Sequence, residues 1–388
     1  MVLGICNFRM GCLKMLRDKK TIVSMRKCET YDSPVLEILI QSMLDDICNT
    51  KELFTKGKKI LIKPNLVSPV APEKAATTHP AMVEAVVKIL LAHGVEEIWI
   101  GDSGIHGTDK IFKVCGMTRI AEEHGCKICD FDNYEIDRIQ NPSNVILKKI
   151  PMSKYISECD LVINMPKTKI HHAVLYTGAI KNLYGTIVGK NKMKLHANLG
   201  TKDNFENALL DLYSNINPEI TIMDGIVGME GNGPANGKPI KSNMILASTN
   251  GLALDIVAMR QIGIKVKEVG YIEKGIERGI GPKETDIKVV GDTVEKVKYD
   301  KPSGFLIKFN GWAEQVTPLI YKFFKPIPVF DNNKCVKCGI CAEICPANAI
   351  VLPDIPKVDR VTCISCFCCQ EACFSDAITR SDSKKKGM

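Results

Sequence analysis

Nine of the seventeen cysteines lie between residues 335 and 373, and their spacing is repeated. The first run has the form C-x2-C-x2-C-x3-C, and the same spacing recurs 28 residues later. Glu343 matches Glu371 in this repeat, and Ala349-Ile350 matches Ala377-Ile378. Soft thiolates at this spacing suit iron–sulfur clusters and are typical of bacterial ferredoxins. The duplication predicts two [4Fe–4S] clusters with these ligands: Cys335, Cys338, Cys341, Cys345, Cys363, Cys366, Cys369 and Cys373.

In such runs the fourth cysteine ligates the cluster of the other run. This assigns Cys373 to the first three cysteines of the first run, and Cys345 to the first three of the second. A structural zinc site is the alternative, but zinc patterns usually present their ligands as two pairs. The second run departs from the pattern in two ways. Phe374 replaces the usual proline, and Cys368 is an extra thiol that we expect to be a buried spare.

Polar segments follow four predicted strands in the first 300 residues. In an open α/β sheet, ligands bind outside the carboxyl ends of the strands. We therefore expect the four segments to converge on one crevice, although each of them alone could be an ordinary turn. The segments are Lys63-Pro-Asn65, Gly101-Asp-Ser-Gly104, Asn164-Met-Pro-Lys-Thr-Lys169 and Asp224-Gly225.

Several side chains of these segments are candidates for binding and catalysis. Lysines suit a carboxylate or phosphate ligand, and histidine or aspartate can supply protons. The predicted binding residues are Lys63, Asn65, Lys167, Lys169, Lys181 and Asn182, and the predicted catalytic residues are His171, Asp102 and Asp224. For Lys181 a solvated surface position is equally compatible with the sequence. Metal binding by His171 and His172 is a further alternative, but the sequence shows no third ligand.

The elements that must position these residues alternate between strand and helix, which predicts an α/β core with a largely parallel sheet. Apolar runs predict strands that begin near residues 21, 59, 97, 127, 160, 219, 244 and 287. Helices are predicted over 34–48, 80–93, 205–215 and 252–262, the first with Ser33 as its cap. The glycine-rich segment 224–234 lacks the dinucleotide and P-loop patterns, so we interpret it as backbone close to a ligand or as a tight loop.

Five motifs in the first 300 residues resemble motifs of the "domain of unknown function 362" family. They are Ile62-Lys-Pro-Asn65, Thr77-Thr-His-Pro80, Gly101-Asp-Ser103, the block from Met165 to Gly185, and the segment from Asp224 to Pro234. The resemblance covers about residues 20 to 295 and implies one domain there. Members of that family are often fused to a ferredoxin-type module, which agrees with the cysteine pattern. The resemblance implies no substrate and no catalytic residue.

The 388 residues divide into five expected parts. They are an extension over 1–19, the α/β domain over 20–300, an aromatic-rich linker over 301–330, a small α+β ferredoxin-like domain over 331–380 and a basic tail over 381–388. The linker contains seven of the 23 aromatic residues and is expected to pack the small domain against the core, although a membrane-surface or partner patch is the alternative. Cys126 and Cys129 form an isolated C-x-x-C that we expect to be buried and structural.

Charge and composition restrict the partners and the location. The net charge is +8, but residues 331–380 carry five basic and six acidic residues, so the remainder carries +9. No basic stripe with interleaved aromatic residues occurs, which argues against nucleic-acid binding. No apolar run is long enough to span a membrane and no export signal is evident. The many cysteines then indicate a reducing, anaerobic cytoplasm.

Two functions fit these patterns. The leading hypothesis is an iron–sulfur oxidoreductase, in which the cluster domain exchanges electrons with a redox partner protein and with a small anionic substrate or cofactor in the strand-end crevice. The alternative is an electron relay or scaffold that docks a partner enzyme and has no active site of its own. A redox sensor is a third interpretation. A small molecule held in the core would favour the enzyme.

Overall fold

The computed structural model describes residues 20–104, 107–172, 174–199, 201–302 and 325–381. The predicted extension over 1–19, most of the predicted linker and the lysines of the tail lie outside the described residues. Among the described residues the strands are β1 (Thr21–Lys27), β2 (Lys59–Pro64), β3 (Glu97–Asp102), β4 (Lys127–Asp130), β5 (Ile136–Gln140), β6 (Lys149–Ser153), β7 (Leu161–Met165), β8 (Lys167–His171), β9 (Leu175–Thr177), β10 (Ile220–Glu230), β11 (Lys238–Ser248), β12 (Ile287–Gly291), β13 (Pro328–Phe330), β14 (Ile350–Val351), β15 (Lys357–Val358) and β16 (Ile378–Arg380).

Helices separate most of the strands. Those in the described part of the chain are α1 (Ser33–Ile47), α2 (Thr50–Leu53), α3 (Pro80–Ala92), α4 (Thr108–Val114), α5 (Met117–His124), α6 (Tyr155–Glu158), α7 (Ala179–Asn182), α8 (Lys190–Leu199), α9 (Lys202–Ile216), α10 (Gly251–Gln261), α11 (Gly270–Glu277), α12 (Ile340–Glu343) and α13 (Cys368–Glu371). The predicted start of α1 is shifted by one residue. Asp32, rather than Ser33, is its cap, and the Asp32 side chain accepts from Val35 N.

One large sheet forms the centre of the α/β domain. Its strand order is β12-β1-β11-β10-β7-β2-β3-β4, with β8 and β9 attached beside β10. The run from β10 to β4 is parallel throughout, whereas β11 is antiparallel to both of its neighbours. The predicted α/β class with a largely parallel sheet is therefore confirmed.

The central strands are buried on both faces, because alternate residues point to opposite sides of a sheet. In β2, Ile60 and Ile62 pack against α1 and α3 on one side, whereas Leu61 joins the core on the other side. Trp99 of β3 also packs on that second side, in the core that includes α9 and α10. Helices cover both faces, so the carboxyl ends of the strands are left as the place where polar side chains can gather.

Two predicted loop segments are strands. Lys167 to Lys169 form part of β8, and Asp224 lies inside β10, which runs on to Glu230 instead of ending near 223. The glycines of β10 have a packing reason, because a Cβ on Gly228 would stand 2.9 Å from the carbonyl oxygen of Thr168 on β8. The segment therefore lies in a strand up to Glu230, and its glycines allow β8 and β10 to approach.

The C-terminal cysteines lie on a small unit of short helices and two-stranded ribbons, in which β13 pairs with β16 and β14 pairs with β15. We call residues 328–380 the cluster module. Its first strand begins at Pro328, within the segment that the sequence assigned to the linker. None of the described helices is both long and apolar enough to cross a membrane.

Candidate functional site

Lys63 and Asp102 form a buried ion pair at the carboxyl ends of β2 and β3. Lys63 Nζ lies 2.8 Å from Asp102 Oδ1, and the two side chains are 0% and 5% exposed. The carboxylate also accepts from the backbone N–H groups of Leu66 and Ser103, each at 2.9 Å. Burial lowers the pKa of Lys63, and Asp102 opposes that effect. The charge of Lys63 is therefore already compensated within the protein.

A second buried pair joins Lys167 on β8 to Asp224 on β10. Their Nζ and Oδ2 atoms are 2.7 Å apart. The other carboxylate oxygen accepts from Tyr31 Oη at 2.9 Å, and the Tyr31 ring stacks on His79 with centroids 3.6 Å apart. Burial lowers the pKa of His79 to about 4, so its ring is neutral at physiological pH. Asp224 thus holds Lys167 and Tyr31 in place.

Lys169 has neutral hydrogen-bond partners instead of a carboxylate. Its Nζ donates to Asn65 Oδ1 and to the carbonyl of Ala76, both at 2.6 Å. Asn65 Nδ2 donates to Asn182 Oδ1 at 2.9 Å, and Asn182 Nδ2 donates to Asn164 Oδ1 at 2.8 Å. Burial, and then the charges of Lys181 and Lys167, lower the pKa of Lys169 well below its usual value. One network therefore joins three of the six predicted binding residues, Asn65, Lys169 and Asn182.

Lys181 lies on α7, whose start is fixed by Asp255. The Asp255 carboxylate accepts from Ala179 N at 2.7 Å and from Ile180 N at 3.1 Å, and burial raises its pKa to about 7. Burial lowers the pKa of Lys181, whereas Glu371 and Cys368 of the cluster module raise it. Within the described residues the Lys181 ammonium forms no hydrogen bond or ion pair, so it has capacity for an anion.

The second half of the cluster module packs against this region. Glu371 Oε1 lies 3.1 Å from His171 Nε2 and 3.8 Å from His172 Nε2. Asn236 Nδ2 donates to the carbonyl of Cys373 at 2.8 Å, and the Phe367 ring meets His172 edge-on at 6.1 Å. Burial, and then Lys181, lower the pKa of His171 to about 3 in spite of Glu371, so His171 is neutral at physiological pH.

A cleft of about 620 Å³ opens beside this contact. His172 and Asn232 line it from the α/β domain, and Phe330, Gln370 and Arg380 line it from the cluster module. The cleft gives small molecules an approach to the buried His172. It lies between the two parts of the chain, and no sequence pattern indicated it.

The cysteine duplication is also a duplication of backbone conformation. Positions 337, 339 and 348 have positive φ angles of 57°, 79° and 50°, and positions 365, 367 and 376 have 57°, 59° and 53°. Helices α12 and α13 start 28 residues apart, as do the two cysteine runs. Ala349 N donates to Cys345 Sγ at 3.2 Å, and Ala377 N donates to Cys373 Sγ at 3.3 Å. Both halves thus present thiolates with the same backbone support, and backbone N–H groups at sulfur are among the contacts that set cluster potentials.

The charged neighbours of Cys341 and Cys363 follow the predicted grouping, whereas Cys369 has Cys341 of the other group among its neighbours. Besides burial, the thiolates of Cys338, Cys335 and Cys373 raise the pKa of Cys341, which reaches about 11. The corresponding neighbours of Cys363 are Cys366 and Cys345. Tetrahedral zinc with bonds of about 2.3 Å would bring four sulfurs to within about 4 Å of one another. Among the described residues, no three cysteine sulfurs lie within 4.8 Å of one another, so the donor set fits a larger cluster better than a single ion.

The profile of the domain of unknown function DUF362 matches residues 60–260, which is more than half of the chain. The chain belongs to the DUF362 family. The profile of the 4Fe–4S binding domain matches residues 328–351, which contain the first cysteine run, so this DUF362 protein is an iron–sulfur protein. The family and the ferredoxin-type module expected from the motifs are both confirmed.

Two known proteins resemble this DUF362 chain. It is 29% identical to the thylakoid-associated protein sll1697 of Synechocystis sp. over 237 residues, which cover 61% of this chain and 72% of that protein. It also resembles the lactate racemase apoprotein from Thermoanaerobacterium thermosaccharolyticum, with a TM-score of 0.41 and 16% identity over 63% of this chain. The chain spans 58% of the length of that racemase. The description of the DUF362 family assigns no activity, so function must be argued from the residues of the site.

Sequence reasoning missed the residues that organise the site. Glu371 was visible as a repeat partner of Glu343, but no pattern indicated that it faces His171. Asp255 and Tyr31 lie outside the predicted motifs, and His79 lies in the Thr77–Pro80 motif but was not predicted as a site residue. Cys129 is buried as expected, whereas Cys126 is only half-buried. Burial raises the pKa of Cys129 to about 12 and that of Cys126 to about 11, so both are protonated thiols. Cys368 is buried as expected, and Lys181 lies among its electrostatic neighbours.

Proposed function

We propose that this protein is an iron–sulfur oxidoreductase in which the cluster module serves a site in the α/β domain that holds a small anionic substrate or cofactor. The observation that carries the proposal is the contact between Glu371 and His171. Glu371 lies between two predicted cluster ligands, Cys369 and Cys373, and it reaches the predicted catalytic histidine directly. A cluster bound by the second run would therefore lie beside the candidate site.

We propose two [4Fe–4S] clusters. The repeated φ angles, the matched N–H···S hydrogen bonds and the two cysteine groups support a second cluster equivalent to the first. Clusters bound there would supply electrons one at a time. The cross-ligation by Cys345 and Cys373 would tie the two halves together, because each half would then contribute to both sites.

The anion would bind at Lys181, with Lys169 behind it. These two lysines lack a carboxylate partner within the described residues, whereas Lys63 and Lys167 are paired with Asp102 and Asp224. We therefore give the two ion pairs a positioning role: they hold β2, β3, β8 and β10, and the network of Lys169 and Asn65 ends at Asn182, the residue after Lys181. Of the three predicted acid–base groups, His171 is the one that faces the cluster module.

A specific observation favours the electron relay as the second candidate. The cluster module exposes several large apolar side chains, among them Val336 at 58%, Val361 at 64% and Ile364 at 46%. Exposed apolar groups beside redox centres suit docking of a redox partner protein. A relay needs this surface and no substrate, whereas an oxidoreductase needs both.

We also propose that the chain has the five parts expected from the sequence and that it functions in an anaerobic cytoplasm. The free cysteines of the described residues are compatible with a reducing compartment. The relative from Synechocystis is described as thylakoid-associated. A fractionation experiment in the source cell would decide between a cytoplasmic pool and a membrane-associated one.

The test is anaerobic re-oxidation of the reduced protein. Protein reconstituted with iron and sulfide is reduced, freed of reductant and mixed with a panel of small carboxylates and phosphate esters. The loss of the reduced-cluster EPR signal is then followed, and products are identified by mass spectrometry. An oxidoreductase is re-oxidised by one compound class, and Lys181→Met slows that reaction at least tenfold, whereas Lys59→Met does not. If no compound re-oxidises the protein but an electron-accepting protein does, the relay is correct.

A further inference from the structure

His172 is held in a defined tautomer with a lone pair directed into the interface between the two domains. Its Nδ1 lies 3.1 Å from the carbonyl oxygen of Gly233, which can only accept, so Nδ1 carries the proton. Nε2 is therefore an acceptor. Nε2 is buried and has no hydrogen-bond partner among the described residues, and Glu371 Oε1 lies 3.8 Å from it.

An unpartnered acceptor that faces a carboxylate oxygen is unfavourable in a buried site, because both groups carry negative charge density and neither can donate. A cation between them would satisfy both. The same carboxylate oxygen lies 3.1 Å from Nε2 of His171, whose ring stacks on that of His172 with centroids 5.0 Å apart. The exposed fractions of the three side chains are 1% for His171, 3% for His172 and 16% for Glu371.

We propose that His171, His172 and Glu371 bind one divalent transition-metal ion of the Zn²⁺ class, where the α/β domain meets the cluster module. The three ligand atoms lie within 4.8 Å of one another. Bonds of about 2.0 to 2.2 Å in a tetrahedral arrangement place ligand atoms roughly 3.3 to 3.6 Å apart. The two measured separations, 3.1 Å and 3.8 Å, lie on either side of that range.

The surroundings of His172 fit a metal ligand. His171 has to change its tautomer when an ion binds, because its Nδ1 accepts from Val174 N at 3.4 Å and its Nε2 therefore carries the proton. The hydrogen bond from His172 Nδ1 to a backbone carbonyl is the outer contact that usually orients a ligating imidazole. Two imidazoles and one carboxylate form a ligand set that binds zinc and leaves a coordination position open. The cleft lined by His172 and Gln370 gives an ion a route from solvent. Arg380 and Lys181 are the opposing charges nearby, and the carboxylate of Glu371 offsets them.

This site goes beyond the proposed electron transfer and does not depend on it, because a metal could join the domains in an enzyme or in a relay. A metal at this site changes the role of His171. With a metal bound, His171 would act as a ligand through Nε2 and would not donate a proton there. A measurement of metal content tests whether His171 is a metal ligand. The re-oxidation test of the proposed oxidoreductase depends instead on the anion and on Lys181.

The test uses the full chain with its clusters reconstituted, so that the cluster cysteines are occupied before zinc is added. Zinc is supplied at increasing concentration, excess ion is removed, and bound zinc and iron are counted separately by elemental analysis. X-ray absorption at the zinc edge then identifies the ligand atoms. The variants are Glu371→Gln and His172→Ala. Glu343→Gln is the matched control, because Glu343 occupies the same place in the first half of the module and is exposed.

The proposal predicts one zinc per chain, with nitrogen and oxygen neighbours at about 2.0 to 2.2 Å and no sulfur neighbour at about 2.3 Å. Either variant at the site is expected to weaken zinc binding by at least tenfold, while Glu343→Gln binds as the wild type does. The iron count checks that each variant is folded and carries its clusters. Sulfur neighbours, or equal zinc binding by Glu371→Gln and Glu343→Gln, would overturn the proposal.

Discussion

Glu371 Oε1 lies 3.1 Å from His171 Nε2, and this contact joins two parts of the chain that the sequence links to different chemistry. Glu371 is the last residue of α13 in the cluster module, whereas His171 is the last residue of β8 in the α/β domain. Glu343, the repeat partner of Glu371, is exposed. The same residue type therefore has a solvated position in one half of the module and an interface position in the other.

The cross-ligation of the two cysteine runs predicts how single substitutions remove iron. Cys345→Ser should disrupt the cluster of the second run, and Cys373→Ser that of the first, because each residue serves the opposite run. Each variant is expected to fall from about eight iron atoms per chain to about four. Iron and sulfide analysis with Mössbauer spectroscopy measures this loss.

Cys368→Ser is the control for this experiment. Cys368 lies next to Cys369 but is expected to be a spare thiol, so the variant should retain the full iron content. Loss of half the iron in Cys368→Ser, with no loss in Cys369→Ser, would show that the ligand register of the second run is shifted by one residue.

Breaking the ion pair between Lys63 and Asp102 is expected to lower the free energy of unfolding strongly. Lys63→Met would leave the buried carboxylate with two backbone N–H groups and no cation, which should cost about 3 to 5 kcal/mol. Urea unfolding followed by tryptophan fluorescence measures this change, since Trp99 lies on the same strand as Asp102.

Lys59→Met is the matched control, because Lys59 lies at the other end of β2 and its ion pair with Glu97 is exposed. The separation there is 3.9 Å with exposed fractions of 43% and 45%, so the loss should stay below about 1 kcal/mol. Equal losses for the two variants would mean that Asp102 is solvated rather than buried.

Asp255 predicts a decrease in stability as the pH rises. Its pKa is about 7 in the folded protein, above the value of about 3.9 for an unfolded chain, so the folded state binds the proton more tightly. The stabilisation is complete below the unfolded pKa and is lost as the pH rises towards 7. Between pH 5.5 and 7 the free energy of unfolding should fall by about 1 to 2 kcal/mol from this group.

Asp255→Asn keeps an acceptor for the N–H groups of Ala179 and Ile180 but cannot ionise. Unfolding measured across this pH interval should therefore show a shallower slope in the variant than in the wild type. A variant with the same slope as the wild type would assign the pH dependence to other groups, and it would mean that burial affects the carboxyl of Asp255 less than expected.

The central parallel strands were predictable because their apolar runs are continuous, as expected for strands covered on both faces. The long hairpin of β10 and β11 was less predictable, because the glycines and the polar residues at 224–243 conceal the alternation that is typical of a strand. The hydrogen bond from Asn182 Nδ2 to the carbonyl of Lys63, at 3.3 Å, agrees with the convergence expected from topology. Sequence patterns could not show that Asp102 and Asp224 neutralise two of the lysines, because those partners come from separate strands. Nor could they show that Glu371 faces His171, because that contact depends on how the module packs.

The central claim is that the cluster module adjoins the Lys181 region of the α/β domain, and a redox titration followed by EPR tests it most directly. Loss of the Lys181 charge should destabilise the reduced, more negative form of the nearer cluster. Lys181→Met is therefore expected to lower one of the two reduction potentials by tens of millivolts, with a smaller effect on the other. Lys59→Met, at the amino end of β2 and away from the site, should change neither potential. Unchanged potentials in Lys181→Met would contradict the account, because the clusters would then be insensitive to the site that they are proposed to serve.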